Sequence, residues 1–474
     1  MSRVAVDLDG TLIAGDLLAE TASRYLFSSP WALFRMIGWA LAGRATLKSE
    51  LAARVSIDVA SLPYRPDVVG RLRAAKSNGS RLVLATASAH TLAARVSDHL
   101  GVFDAVIATQ PGGPNLKSAS KAGAITDYFG DGDWAYIGDS RADLEVWERA
   151  QRAVAVAPSK TVLRAAAKLG VELEVVSAPR RNSLAQWIRQ ARLHQWMKNL
   201  LIFIPLLTSQ QWTITTIVQS LIAFLAFGCA ASAVYIVNDI RDLDADRRHA
   251  TKRSRPLASG SISIVAAFIA ASLLMVTSLL LSAAVGSLFL LALVGYIVLT
   301  SAYTVWLKRK IIADVVVLAL LYAWRVVAGC AAILVEPSVW ILAFSTFFFF
   351  SLALMKREAE LVNHHAPSRG RGYRRSDAPL VLSAGTASGM AAILVLVLYL
   401  DSDEVRALYS TPQIMWLLVP LAMYWLLRAW MVTTRGGMHD DPVIFAIRDR
   451  ISRVLVILII VIVIGASWPA FLKS

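Results

Sequence analysis

Residues 238–260 combine four aspartates with six basic side chains between two long stretches without Asp, Glu, Lys or Arg. The two uncharged stretches are residues 199–237 and 261–307. Such stretches are typical of segments that cross the lipid bilayer, where a charge costs several kcal/mol. A charged cluster between them therefore indicates a membrane surface or a functional cavity. On a helix, Asp239, Asp242 and Asp246 would share one face. Three carboxylates on one face repel one another unless a cation lies among them, so the spacing predicts Mg²⁺ holding a phosphorylated substrate.

A second set of polar residues occurs earlier in the chain, and its members are Asp7, Asp9, Thr86, Lys121, Asp139 and Asp143. These residue types could hydrolyse a phosphate monoester. One carboxylate would attack phosphorus, and a second carboxylate two residues later would act as general acid and base. A hydroxyl and a lysine would hold the phosphoryl oxygens, and a later acidic pair would complete a Mg²⁺ site. Any one piece alone is weak evidence, since Asp-Gly-Thr also occurs in ordinary turns, but the ordered set indicates a phosphoryl-transfer site.

Short apolar runs ending in these polar residues predict the strands that must position them. Residues 4–11 are expected to form a buried strand running into a loop, and residues 81–86 and 134–139 repeat this form. Helical patterns lie between them, so we expect a parallel sheet with functional residues at the carboxyl ends of its strands. Residues 1–178 therefore predict a soluble α/β domain of Rossmann-like architecture.

These motifs resemble those of the haloacid dehalogenase-like (HAD) phosphatases. The resemblance implies that Asp7 is the nucleophile that forms an aspartyl-phosphate and that Asp9 is the acid/base. It also implies that Thr86 and Lys121 bind phosphate, with Lys117 as the alternative lysine. The implied Mg²⁺ ligands are Asp7, the carbonyl of Asp9 and Asp139, helped by Asp143.

Residues 13–80 lie where HAD phosphatases insert a helical cap, which governs their choice of substrate. Within this segment, residues 28–44 are unusually hydrophobic and are interrupted by Arg35. We expect a helix of the cap that packs against the core. A helix lying in the membrane interface is the alternative.

The composition indicates a membrane protein rather than one soluble globule. Of the 474 residues, 56% are hydrophobic and only 17% are charged. The formal charge of +15 suits cytoplasmic loops and anionic lipid, so it gives little support for a nucleic-acid partner. Cys229 and Cys330 both lie in predicted membrane spans and are interpreted as small apolar residues rather than as a disulfide.

Nine membrane spans are predicted from residue 193 onward, after a basic linker at residues 179–192. They lie near residues 199–211, 214–237, 262–283, 286–306, 312–333, 338–355, 379–400, 408–427 and 453–472. The first is short and is expected to be tilted, broken or partly interfacial. The loops after the second, fourth, sixth and eighth spans hold nearly all the Lys and Arg of this half. The positive-inside rule places these loops, and with them the N-terminal domain, in the cytoplasm of a bacterial-type plasma membrane.

The acidic cluster resembles the first aspartate-rich motif of the UbiA prenyltransferase superfamily, N-D-x-x-D-x-x-x-D. Asn238, Asp239, Asp242 and Asp246 match it completely, and the following Arg253–Gly260 also fits. The resemblance covers about residues 190–474 and implies an all-α membrane domain of nine helices. The second acidic motif, from Tyr303 onward, keeps only Asp314 as a carboxylate and adds lysines, so it supplies fewer Mg²⁺ ligands.

Finer motifs are similar to the decaprenyl-phosphate phosphoribosyltransferase branch of that superfamily, which serves cell-envelope biosynthesis. They lie at residues 195–199, 232–239, 245–253, 322–329, 356–361 and 447–450. The resemblance implies phosphoribosyl pyrophosphate as donor and a polyprenyl phosphate as acceptor. It also implies that Mg²⁺ on Asp239, Asp242 and Asp246 binds the pyrophosphate of the donor, with Asp314 of the second motif as a further metal ligand.

The distribution of cations independently suits a donor with phosphates at both ends of its sugar. Guanidinium groups and lysines could neutralise these phosphates and that of the acceptor. The residues expected to bind these substrates are Lys198, Asn238, Lys252, Arg255, Tyr303, Lys308, Arg325, Lys356 and Arg357. For any single cation, membrane orientation and lipid-headgroup binding are equally good explanations.

The fusion of the two halves predicts a two-step enzyme. The transferase product would carry a phosphate on its ribose, and the phosphatase domain would remove that phosphate. An alternative is a UbiA-type aromatic prenyltransferase that uses polyprenyl diphosphate, with a HAD phosphatase of separate role. A membrane carrier whose soluble domain binds without turnover is the alternative from another class.

Overall fold

The computed structural model describes residues 2–110, 113, 115–131, 133–176, 183–363, 372–438 and 441–471. The chain forms two compact units. The first unit comprises Met1–Ala191 and Tyr235–Ser272, and the second comprises Arg192–Val234 and Leu273–Ser474. The aspartate-rich segment therefore packs as part of the first unit.

A six-stranded, all-parallel sheet forms the centre of the first unit, as predicted. Its strands are β1 (Arg3–Val6), β2 (Arg81–Ala89), β3 (Ala105–Thr109), β4 (Ala135–Gly138), β5 (Arg152–Val156) and β6 (Leu173–Val176), in the order β3-β2-β1-β4-β5-β6. Val4 and Val6 pack into one buried cluster and Ala5 into another, because successive side chains of a strand point to opposite faces. With β1 between β2 and β4, the carboxyl ends of these three strands are neighbours.

Helices cover the sheet and fill the segment between β1 and β2, where a helical insertion was expected. The insertion contains Leu17–Leu26, Ala32–Leu41, Arg44–Arg54 and Pro66–Ser77. The later helices of the first unit are His90–Leu100, Ala119–Phe129, Leu144–Arg149, Lys160–Lys168, Leu184–Ala191 and Leu243–Arg248. Residues 179–182 of the predicted linker lie outside the described residues, and Leu184–Ala191 in its second half is helical.

Seven helices of the described chain are long and apolar enough to cross a membrane, so the protein is an integral membrane protein. They are Ile214–Arg241, Ile264–Val285, Ser287–Val305, Ala313–Ala332, Val339–Asn363, Arg375–Leu400 and Pro412–Thr434. They correspond to the second through eighth predicted spans. Cys229 and Cys330, which lie in two of these helices, are free.

The first and ninth predicted spans differ from these seven. Residues 199–211 are broken into Leu193–Phe203, a 3₁₀ helix, and the short helix Ile204–Ser209, so nine full spans are not confirmed. Pro205 stands at the start of the second helix, where its missing N–H costs nothing and where an earlier helix cannot easily continue. Residues 453–471 of the ninth predicted span lie in the 22-residue helix Arg450–Phe471, and residue 472 lies outside the described residues. The remaining helices of the second unit include Asp403–Leu408 and Pro442–Arg448.

Candidate functional sites

The carboxyl ends of β1 and β4 bring three carboxylates together. Asp7 follows β1, Asp139 follows β4, and Asp143 lies in the short 3₁₀ helix Arg141–Asp143. In the part of the chain that the structure describes, this is the one group of three acidic side chains whose ligand oxygens all lie within 4.8 Å of one another. Oxygen ligands at this spacing suit Mg²⁺. Gly10 has a φ of 79°, and a β-carbon on it would overlap the carboxylate of Asp139, so the close approach requires glycine.

Lys121 lies among these carboxylates. Its Nζ is 3.1 Å from Asp7 Oδ1 and 3.2 Å from Asp143 Oδ1, and it donates a hydrogen bond of 2.8 Å to the hydroxyl of Tyr136. Burial opposes its charge, but Asp7 and Asp143 outweigh burial and raise the pKa of Lys121. Lys117, the alternative lysine, is exposed.

The environment of Asp7 favours a bound cation. Burial raises the pKa of Asp7 well above its usual value, Lys121 lowers it, and Asp143, Asp9 and Asp139 raise it further. Three nearby carboxylates therefore exceed what one lysine neutralises, and a divalent cation would relieve the repulsion.

Asp9 and Thr86 lie at the same edge of the sheet. Asp9 Oδ1 accepts a hydrogen bond of 2.8 Å from the backbone N–H of Leu17, and Oδ2 accepts one of 2.5 Å from Ser88 Oγ. Burial and the charge of Asp16 raise the pKa of Asp9 to about 6, against the effect of these hydrogen bonds. Thr86 is fully buried, and its Oγ1 accepts a hydrogen bond of 3.1 Å from the N–H of Ser88. A carboxyl group of this pKa suits proton transfer near neutral pH.

The aspartate-rich segment forms two consecutive helices rather than one continuous helix. Helix Ile214–Arg241 ends before Asp242, whose backbone is not helical, and Leu243–Arg248 begins after it. Arg255 Nη1 bridges the two parts, at 3.2 Å from Asp239 Oδ1 and 2.6 Å from Asp246 Oδ2. Gln190 donates a hydrogen bond of 2.8 Å to Asp239 Oδ2. The bridging guanidinium occupies the place between two carboxylates that a divalent cation could take.

The other predicted residues of this segment differ in exposure. Burial raises the pKa of Asp246, Arg255 lowers it, and Asp239 raises it. Asn238 lies in the last turn of Ile214–Arg241 and is half-buried, as is Asp242, whereas Lys252 is exposed. Asp239 and Asp246 are thus the two aspartates that the structure joins through a common partner.

Buried ion pairs connect this segment to the helical insertion. Glu20, on helix Leu17–Leu26, is 2.6 Å from Arg247 Nη2 and 2.7 Å from Arg24 Nη1. Arg24 Nε donates a hydrogen bond of 2.9 Å to Asp244 Oδ2. Arg247 Nε donates one of 3.1 Å to the carbonyl of Ala258. Arg247 therefore ties the helix that carries Asp246 to both the insertion and the loop after Arg255.

In the second unit, Asp441 holds two of the predicted lysines. Asp441 Oδ2 is 2.7 Å from Lys198 Nζ and 2.9 Å from Lys356 Nζ, and the hydroxyl of Tyr322 donates to both carboxylate oxygens at 2.9 Å. Burial, Lys356 and Arg325 lower the pKa of Lys198 to about 8, although Asp441 raises it. Burial raises the pKa of Asp441, but Lys356 and Lys198 outweigh burial and lower it. The cluster places two cations on one buried carboxylate.

Arg325 is buried in the same unit, and its hydrogen bonds to described residues go to neutral groups. Nε donates to Asn199 Oδ1 at 2.9 Å and Nη2 to the hydroxyl of Tyr296 at 3.1 Å, while Nη1 donates to the carbonyl of Leu321. A buried cation held by neutral groups is a candidate for binding an anion.

A third cluster joins Tyr303, Asp314 and Arg357. Arg357 Nε is 2.8 Å from Asp314 Oδ2, Nη1 is 2.6 Å from Glu360 Oε2, and Nη2 is 3.5 Å from the hydroxyl of Tyr303. Tyr373 donates a hydrogen bond of 2.7 Å to Asp314 Oδ1. Both oxygens of Asp314 are thus engaged by protein groups. Lys308 is half-buried in the turn Leu307–Arg309.

Sequence reasoning missed Asp441, Gln190, Tyr322, Tyr136 and Ser88. Asp441 precedes Pro442, and its Oδ1 accepts a hydrogen bond of 3.2 Å from the N–H of Val443. An acidic residue before a helix-starting proline is adequately explained as a helix cap, so its spacing gave no sign of the two lysines. Tyr322 and Tyr136 lie within motifs already noted at residues 322–329 and 134–139, but their hydrogen bonds to Asp441 and to Lys121 and Asp143 appear only in the structure, as do the contacts of Gln190 and Ser88.

An apolar cavity of about 520 Å³ lies in the second unit. Its lining includes Pro205, Trp212, Cys330, Phe344, Leu418 and Ile460. Arg325 lies just over one helical turn before Cys330 on Ala313–Ala332, and Asn199 lies one short helix before Pro205. Residues that line the cavity therefore follow both Arg325 and its hydrogen-bond partner Asn199 closely in the sequence.

Two family models match the chain. Residues 201–448 match the UbiA prenyltransferase family, and residues 4–148 match the haloacid dehalogenase-like hydrolases. A Sinorhizobium fredii protein called "Uncharacterized protein y4nM" is 38% identical over 94% of this chain and 87% of its own length. The decaprenyl-phosphate phosphoribosyltransferase of Mycobacterium tuberculosis is 31% identical over 60% of this chain and 94% of its own length.

A solved UbiA homologue from Archaeoglobus fulgidus, bound to DMAPP and Mg²⁺, is 16% identical, with a TM-score of 0.47 over 59% of this chain and 98% of its own. The UbiA match covers more than half of the 474 residues. The chain belongs to the UbiA prenyltransferase family and carries a HAD-like domain in its N-terminal part.

Proposed function

We propose that this protein transfers phosphoribose from phosphoribosyl pyrophosphate to a polyprenyl phosphate and then removes the 5-phosphate of the product. The observation that carries the proposal is the 31% identity to a decaprenyl-phosphate phosphoribosyltransferase over 94% of that enzyme's length. In this proposal, residues 193–474 form the transferase domain and residues 1–178 the phosphatase domain, joined by residues 179–192.

The aspartate-rich segment would hold Mg²⁺ and the pyrophosphate of the donor. Asp239 and Asp246 already share one cation, the guanidinium of Arg255, and Asp242 lies at the helix break between them. When bound, Mg²⁺ would neutralise the pyrophosphate leaving group. Arg255 would then be released from one or both carboxylates to bind phosphate oxygens as a fork.

The buried cations of the second unit support a substrate with several phosphates. Lys198, Lys356 and Arg325 are predicted to bind these groups, with Asn238, Lys252, Tyr303, Lys308 and Arg357 as further candidates. Asp441 forms ion pairs with Lys198 and Lys356. The apolar cavity supports an acceptor with an isoprenoid chain, since its lining offers little but hydrocarbon and aromatic surface.

The transfer step follows from these assignments. An oxygen of the lipid phosphate attacks the anomeric carbon of the ribose, and the bond from that carbon to the pyrophosphate oxygen breaks. Pyrophosphate leaves with the bonding electrons, and its negative charge is neutralised by the surrounding cations. Residues that bind the leaving pyrophosphate more strongly in the transition state than in the ground state accelerate the reaction.

The phosphatase step uses the site at the carboxyl end of β1. An oxygen of Asp7 attacks the phosphorus of the 5-phosphate, and the ribose oxygen leaves with a proton from Asp9. Water then hydrolyses the aspartyl-phosphate, with Asp9 accepting its proton. Lys121 and Thr86 are proposed to bind the phosphoryl oxygens, and Asp7, Asp139 and the carbonyl of Asp9, with help from Asp143, to hold Mg²⁺.

We further propose that the N-terminal domain and the basic loops face the cytoplasm of a bacterial-type plasma membrane. This orientation would give the transferase site access to a water-soluble, highly charged donor. It rests on the distribution of Lys and Arg among the loops.

The test supplies membranes containing the protein with two substrate pairs and identifies the lipid products by mass spectrometry. One pair is phosphoribosyl pyrophosphate with a polyprenyl phosphate, and the other is a polyprenyl diphosphate with an aromatic acid. We expect a ribosylated lipid phosphate from the first pair and no prenylated aromatic compound from the second. A prenylated aromatic compound without any ribosylated lipid would overturn the proposal.

A further inference from the structure

The helix Ala32–Leu41 exposes an unusually large apolar surface. Trp31 is 65% exposed, Phe34 66% and Leu41 85%, and Leu33 and Ile37 are about half exposed. At the helical period of 3.6 residues these five side chains occupy one continuous side of the helix. Water-exposed apolar patches of this kind mark interaction surfaces.

The opposite side of the same helix is also apolar, and it packs against other helices of the insertion. Ala32, Met36 and Trp39 pack in a cluster with Tyr25 and Leu51, which belong to the two neighbouring helices of the insertion. The ring centroids of Trp39 and Tyr25 are 5.1 Å apart. A helix with two apolar sides normally buries both of them, so the exposed apolar side requires a partner.

A membrane-crossing helix lies beside the start of this segment in the same compact unit. The ring of Phe27 stacks on that of Phe268 at 6.4 Å between centroids and 23° between planes. Phe268 is in the second turn of Ile264–Val285, a helix that is apolar enough to cross the membrane. Trp31 follows Phe27 by four residues, so the exposed patch begins within about 14 Å of Phe27, the residue that contacts this helix.

The residues around the exposed apolar side of Ala32–Leu41 indicate that the lipid bilayer is its partner. Val265 and Ile269, on the same first turns of Ile264–Val285, are 56% and 57% exposed and therefore face lipid. Residues 27–47 contain Arg35 and Arg44 but no Asp or Glu. Both arginines are exposed, which suits contact with anionic headgroups at the edge of an apolar face.

We propose that Ala32–Leu41 lies in the plane of the membrane interface, with Trp31, Leu33, Phe34, Ile37 and Leu41 inserted among the lipids. The helix anchors the insertion of the HAD-like domain to the bilayer. The first helix of that insertion donates the N–H of Leu17 to Asp9, so the anchor holds this edge of the sheet near the membrane. The proposal is independent of which reaction either site performs.

The test measures the environment of spin labels on the full-length protein in proteoliposomes that contain anionic lipid. The reporters are Phe34→Cys and Leu41→Cys, in a background where Cys229 and Cys330 are replaced by alanine. Ile269→Cys is the lipid-facing control, and Ser77→Cys, on an exposed helix end, is the water-facing control. Power saturation compares collision with oxygen, which concentrates in lipid, and with a polar nickel complex, which remains in water.

We expect both reporters to resemble Ile269→Cys, with high accessibility to oxygen and low accessibility to nickel. Reporters that resemble Ser77→Cys would overturn the proposal, because the helix would then face water. Low accessibility to both reagents would also overturn it, since it would indicate that protein covers the patch. Disagreement between the two reporters would overturn the placement of the helix in the membrane plane.

Discussion

The two acidic sites of the first unit are built in different ways. Asp7, Asp139 and Asp143 are fixed by adjacent parallel strands and a short turn, and their oxygens lie within 4.8 Å of one another. Asp239 and Asp246 lie on two helices separated by a break and are joined by the side chain of Arg255, which is 30% exposed. The first site is already arranged for a cation, whereas in the second a partly exposed arginine lies between the two carboxylates, where we propose that substrate and metal displace it. The difference suggests that a sheet edge supplies preformed geometry and a broken helix supplies adjustable geometry.

The largest expected effects separate the two sites by function. Asp7→Asn should lower phosphatase turnover by about 10³-fold or more, because the nucleophile is lost, while phosphoribosyl transfer continues. Asp239→Asn should have the reverse effect. Formation of ribosylated lipid is measured with phosphoribosyl pyrophosphate and a polyprenyl phosphate, and release of phosphate is measured separately with supplied polyprenyl-phosphoribose 5-phosphate, so that the second assay does not depend on the first. Loss of both activities in either variant would show that the sites are not separate.

The ion pairs between the insertion and the aspartate-rich segment should contribute strongly to stability. Glu20→Gln leaves Arg247 buried without its carboxylate, and breaking such a pair costs about 3–5 kcal/mol. Glu20 and Arg247 have side chains that are 1% and 4% exposed. The readout is the free energy of unfolding of the purified protein.

A matched control is available in the same unit. Arg71 and Glu174 form an ion pair in which both side chains are about half exposed. Glu174→Gln should change stability by less than about 1 kcal/mol, because water screens such a pair. Equal destabilisation by the two variants would contradict the distinction between a buried network and a surface pair.

Arg255→Gln tests whether Arg255 competes with Mg²⁺ for Asp239 and Asp246. With Arg255 removed from Asp239 and Asp246, we expect the Mg²⁺ concentration for half-maximal transfer to fall by roughly threefold to tenfold, and transfer turnover to fall because a phosphate contact is lost. The Mg²⁺ dependence of the phosphatase is the internal control and should not change. An unchanged Mg²⁺ dependence of transfer would mean that Arg255 does not compete with the metal.

The smallest expected effect is a dependence on pH. The pKa of Lys198 is lowered to about 8, so its charge is present below that pH and is lost above it. The KM for the phosphorylated donor should therefore rise a few-fold from pH 7 to pH 9. Lys198→Arg keeps its charge throughout this range, so its KM should be nearly flat. Parallel pH profiles for the two proteins would assign the titration to another group.

The sequence predicted the first site better than the second for a physical reason. The apolar run before Asp7 and the one before Asp139 each specify a buried strand, and parallel strands align their carboxyl ends. Whether Lys121 or Lys117 faces Asp7 depends on how one helix packs on the sheet, which spacing alone left open.

The second site depends on features that local periodicity does not reveal. Spacing placed Asp239, Asp242 and Asp246 on one helix face, but the helix breaks at Asp242 and a residue from a later turn, Arg255, enters between the carboxylates. Asp441 likewise meets Lys198 only through tertiary packing, more than two hundred residues apart in the chain. Contacts of this range are set by packing rather than by local pattern.

The mass of the lipid product tests the central claim most directly. The wild-type protein and Asp7→Asn are each supplied with phosphoribosyl pyrophosphate and a polyprenyl phosphate, and the lipids are compared by mass spectrometry. We predict a lipid phosphate carrying ribose from the wild type and the same lipid with one additional phosphate from Asp7→Asn. Identical ribosylated lipids from both proteins, or no ribosylated lipid from either, would contradict a transferase and a phosphatase acting in sequence.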